Sequence, residues 1–117
     1  MAKDDYDIIV YRVLVYLYAC LKRRILFDEA IFRATVRKDI ESEEYFTKAL
    51  EMMQEEKLIR GLEFAHSGNI SILMSDIKEM EITPDGIHYL KENSRMEKIG
   101  ETLRRAVDVI ADIAGLL

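Results

Sequence analysis

Residues 8–21, IIVYRVLVYLYACL, limit the possible folds more than any other stretch of the chain. Acidic residues precede the stretch and Lys22, Arg23 and Arg24 follow it, an arrangement that suits the dipole of a helix. At helical spacing Ile9, Val10, Val13, Leu14, Leu17, Cys20 and Leu21 form one apolar stripe. A surface helix keeps its other face polar, yet here that face carries Ile8, Tyr11, Val15, Tyr18 and Ala19. A helix that is apolar all round is covered on two sides. This one is therefore expected at the centre, with its second face meeting either another subunit or the C-terminal helix.

The chain has 117 residues, enough for one domain with a real core but too few for two. Half of the residues are hydrophobic and a third are charged, which excludes a disordered chain. Helix 1 is expected over 4–23. Asp28 can cap a second helix over 28–37, and Ser42 a third over 42–57. On the third, Phe46, Ala49, Leu50 and Met53 share one face, while Glu44, Lys48, Glu51 and Glu55 share the other. LIRGLEFA and NISILM, joined through the turn formers Ser67, Gly68 and Asn69, predict a β-hairpin within 58–75. Thr83 and Pro84 open a helix over 83–93, and Ser94 with Glu97 makes a capping-box pattern for a last helix over 95–115. That last segment repeats apolar residues at Met96, Ile99, Leu103, Ala106, Ile110, Ile113 and Leu117.

Three helices, a hairpin and further helices follow the order of a winged helix-turn-helix domain with an added long C-terminal helix, a mainly α fold. ALEMMQEEKLI followed by the hairpin and ITPDGIHYLKEN carries the likeness, through Ile82-Thr83, Gly86 and Tyr89-Leu90. In this set of features the chain resembles the YjcQ family of small bacterial and phage-associated proteins, from about Asp28 to the C-terminus. The resemblance implies a winged-helix fold.

Such a fold uses its third helix to enter DNA, yet Glu43 to Glu56 holds five glutamates against one lysine. The net charge of −5 offers no general attraction to phosphate. If DNA is bound, Arg33, Arg37 and Lys38 are expected on phosphates and Thr47 and Lys48 near the groove. The hairpin adds no Lys or Arg between Leu62 and Ile72, only His66. The leading expectation is a dimeric DNA-binding or regulator-type protein. The alternative is a protein-interaction adaptor presenting Glu44, Glu51 and Glu55 to a basic partner surface.

Two wide apolar faces exceed what one small core needs. A homodimer is therefore expected through Tyr11, Val15, Tyr18, Ile99, Leu103, Ile110 and Ile113. Catalysis is not expected: His66, His88 and Cys20 have no metal-site spacing, and there is no phosphate-cradling glycine loop. No cofactor is implied. With one cysteine, no intramolecular disulfide can form, and Cys20 reads as a small core residue. Asp108 and Asp112 interrupt the C-terminal apolar run, so no membrane attachment is expected and the chain is placed in the cytoplasm.

Overall fold

The computed structural model describes residues 5–113, with side chains described as far as Ile110. Its order is α1 (Tyr6–Leu21), α2 (Glu29–Thr35), α3 (Glu43–Glu55), β1 (Ile59–Arg60), β2 (Phe64–Ser67), β3 (Ile70–Leu73), β4 (Glu81–Ile82), α4 (Pro84–Glu92) and α5 (Glu97–Ile113). This is a mainly helical, winged-helix-like fold with a long C-terminal helix. The local signals behave as their chemistry requires. Asp28 accepts the Ile31 N–H at 2.9 Å, Ser42 accepts the Tyr45 N–H at 3.1 Å, and Thr83 accepts the Gly86 N–H at 3.0 Å.

α1 is the central element. Ile9, Val13 and Leu14 have no exposed surface, and α3, α4, α5 and β4 all pack against this helix. Burying each such side chain contributes about 1.5–3 kcal/mol. At the α2 end, Tyr16, Phe27, Phe32 and Phe46 form an aromatic cluster with neighbouring centroids 5.2–6.0 Å apart. The Tyr16 hydroxyl donates to the Asp28 carbonyl and accepts from the Asp28 N–H, both at 3.2 Å, which fixes where α2 begins.

The wing differs from a single hairpin over 58–75. β1 pairs with β4, Ile59 opposite Ile82, while β2 and β3 form a separate hairpin. Gly61, at φ 99°, separates the two ladders; a Cβ there would run into the Glu79 carbonyl. Gly68, at φ 62°, is the first central residue of the two-residue hairpin turn, as a type II′ turn requires. Ser94 also departs from its expected role. Ser94–Met96 make a 3-10 turn that runs into α5, in place of a Ser94 capping box.

α3 ends in a Schellman arrangement: the Leu58 N–H reaches the Met53 carbonyl and the Lys57 N–H the Gln54 carbonyl, both at 3.0 Å. The left-handed position falls on Lys57, at φ 65°. A side chain there strains the backbone, so Lys57→Gly should raise stability by about 0.5–1 kcal/mol in urea melts. An unchanged or lower midpoint would show that the strain is relieved in some other way.

The second face of α1 is covered by α5 of the same chain. Tyr11, Val15 and Leu103 are buried in this contact, so the dimer surface expected through them is already occupied within one molecule. Gly100 permits the approach: a Cβ on it would lie 3.1 Å from the Tyr11 ring and 3.2 Å from Val15. Ile99 and Ile110 are partly buried against the same core. Tyr18 is half-buried with the Lys22 ammonium 4.0 Å above its ring. The Ile113 side chain lies outside the described residues.

Candidate interaction surface

α3 owes its position to its inner face, where Phe46, Ala49, Leu50 and Met53 are buried. Its outer surface then presents Glu44, Tyr45, Lys48, Met52 and Glu55 to solvent. Thr47 is half-buried at the border with α2. Glu51, expected on the outer surface, is instead only 8% exposed. The hairpin folds over it, because Ser71 and His66 lie opposite each other on the wing's inner face.

Glu51 ties the wing to α3. Ser71 donates its hydroxyl to Glu51 at 2.6 Å, His66 Nε2 lies 2.5 Å from the second carboxylate oxygen, and Lys48 donates at 3.1 Å. The Ser71 hydrogen bond is the largest influence on the carboxyl group. Together with Lys48 and His66 it outweighs burial and holds the pKa down to about 2. A second tie sits one turn later. The Gln54 amide donates to the Leu62 carbonyl at 2.8 Å and accepts the Leu62 N–H at 3.0 Å. The helical spacing of α3 placed Glu51 outward because nothing local says where the hairpin will fold back.

The cations chosen as DNA contacts are not brought to one free surface. Arg33, Arg37 and Thr47 line a groove of about 250 Å³ between α2 and α3. Lys38 instead lines the α2–α5 groove. Carboxylates of the same chain already engage most of them. Arg33 pairs with Glu29 at 3.2 Å and approaches Glu43 at 3.8 Å, while Arg37 pairs with Glu43. Arg37 also donates to the Ile40 carbonyl at 3.0 Å and lies over the Phe46 ring. Lys48 is held by Glu51. Glu44 and Glu55 make no ion pair among the described residues.

The outer face of the wing has no cation either. β3 turns Ile70 and Ile72 outward, with Met74 next in the same alternation, and all three are exposed. Among the described residues no group of three or more His, Cys, Asp or Glu could hold a metal ion. No described helix is long and apolar enough to cross a membrane.

A family model described as YjcQ protein matches residues 11–109. No curated protein and no solved structure gives a significant match.

Proposed function

The chain belongs to the YjcQ family, and on its winged-helix frame we propose a non-enzymatic protein-interaction module that docks a basic partner on the outer face of α3. The observation that carries this reading is the local charge balance. Arg33, Arg37 and Lys48 are each neutralised by Glu29, Glu43 or Glu51, while Glu44 and Glu55 stay uncompensated beside them. A duplex brought to this face meets carboxylates first, and phosphate is repelled. A partner surface rich in lysine or arginine meets complementary charge, with the exposed Met52 and Tyr45 between the acids as apolar contacts.

DNA binding is the second reading, favoured by one specific observation: Arg33, Arg37 and Thr47 border the same groove. The ion pairs of Arg33 are solvent-exposed, and such pairs are worth only about 0–1 kcal/mol, so phosphate can compete for that arginine, whereas the half-buried Arg37 is held also by the Ile40 carbonyl.

One pair of titrations separates the readings. A fluorescent peptide rich in lysine and leucine should bind the wild type and lose at least about tenfold in affinity to Glu44→Lys/Glu55→Lys. A labelled duplex at low ionic strength should show no saturable binding. Saturable duplex binding that Arg33→Ala/Arg37→Ala/Lys38→Ala abolishes would replace the first reading with the second.

A further inference from the structure

A second surface carries the opposite charge. At the C-terminal end of α1 a cleft of about 240 Å³ opens between the 22–27 connection and the β1–β4 ladder. Its walls are apolar, formed chiefly by Leu17, Leu21, Leu26, Phe27, Met80 and Ile82. Leu26 is 80% exposed and Leu21 53%, so the mouth of the cleft is apolar and open to water. Three cations stand around it, Arg23, Arg60 and Lys78, against one carboxylate, Glu81.

These cations differ from those beside α3. Arg23 and Arg60 make no ion pair among the described residues, and Lys78 has only the exposed Asp76 at 4.0 Å. In a chain of net charge −5 that is a local excess of positive charge. Arg23 also occupies a position where its side chain is costly. α1 ends in a Schellman arrangement, with the Arg24 N–H on the Ala19 carbonyl at 3.0 Å and the Arg23 N–H on Cys20 at 3.1 Å. The left-handed residue is Arg23, at φ 62°, where glycine is favoured. Lys57 takes the same conformation at the end of α3; here the side chain at that position is a guanidinium on the rim of the cleft.

We propose that this cleft captures an acidic segment of a partner protein, seating one bulky apolar side chain against Leu26 and Phe27 between flanking carboxylates. Size and charge both support that occupant. The cleft is smaller than the roughly 300–1,000 Å³ typical of sites for drug-sized ligands, and it suits a single side chain. Guanidinium groups match carboxylates in geometry as well as charge, and the exposed leucines supply the apolar contact. None of the lining residues belongs to α3, so this surface and the acidic one can be engaged separately.

The test is fluorescence anisotropy with a short labelled peptide that carries one phenylalanine between glutamates. It should bind saturably to the full chain and weaken at least about tenfold for Arg23→Glu/Arg60→Glu and for Leu26→Asp. All three positions are exposed, so far-UV circular dichroism of the variants should match the wild type. Changing the phenylalanine to serine, or the glutamates to glutamines, should abolish binding. Glu44→Lys/Glu55→Lys should leave it intact. Equal binding of the glutamine peptide, or unchanged affinity in the charge-reversed variant, would overturn the proposal. So would binding of dodecanoate without the peptide, or self-association in sedimentation that the same variants abolish.

Discussion

Leu103→Glu should unfold the chain instead of splitting a dimer. Leu103 is 4% exposed and sits where α5 closes over α1, in one cluster with Tyr11 and Val15. A carboxylate in place of this buried leucine must either be desolvated at high cost or force the helix away. The milder Leu103→Ala should cost about 2–5 kcal/mol in urea unfolding, the range for removing a buried leucine side chain. Sedimentation decides what the contact is. Leu103→Ala should keep the wild-type mass, because the surface is internal. A halved mass with stability retained would restore the dimer interface that the apolar periodicity suggested.

Glu51→Ala is expected to loosen the wing. It removes the acceptor for the Ser71 hydroxyl and the partner of both Lys48 and His66. Ser71 is itself buried, so its hydroxyl is left without this bond, at a cost of about 1–3 kcal/mol. Hydrogen exchange should accelerate in β2 and β3 more than in α1. The pH dependence has a definite sign. The folded pKa, about 2, lies below the ordinary value of 4.5, so the contribution is complete above pH 4.5 and lost as pH falls through about 2. Wild-type stability should therefore drop more steeply across that window than the stability of Glu51→Ala. Parallel pH profiles for the two proteins would show that Glu51 does not hold the wing.

The helices were legible because their signals are local. Asp28, Ser42 and Thr83 cap as their types require, and Phe46, Ala49, Leu50 and Met53 recur at the spacing of one helical face. The β1–β4 ladder was hidden, since each strand has two residues and neither carries a pattern long enough to read. Its placement depends on Gly61 and Gly86. A Cβ on Gly86 would come within 2.8 Å of Ile82, so glycine is what lets α4 close on this ladder. The site was legible in composition but not in arrangement. The acidic character of α3 was evident, whereas the in-chain partners of Arg33, Arg37 and Lys48 were not.

By itself the sequence determined that α1 must be covered on two sides, because no rotation of a helix hides Tyr11 and Val15 together with Ile9 and Leu14 behind one neighbour. Its periodicities likewise determined which residues of α3 pack the domain. Only the tertiary structure decided that α5 of the same chain covers the second face, and that Glu51 is drawn under the wing while Glu44 and Glu55 stay outside. Periodicity specifies the direction of a side chain relative to its own helix. What stands opposite is set by contacts between residues far apart in the chain, as Glu51 with Ser71 and Tyr11 with Gly100 show.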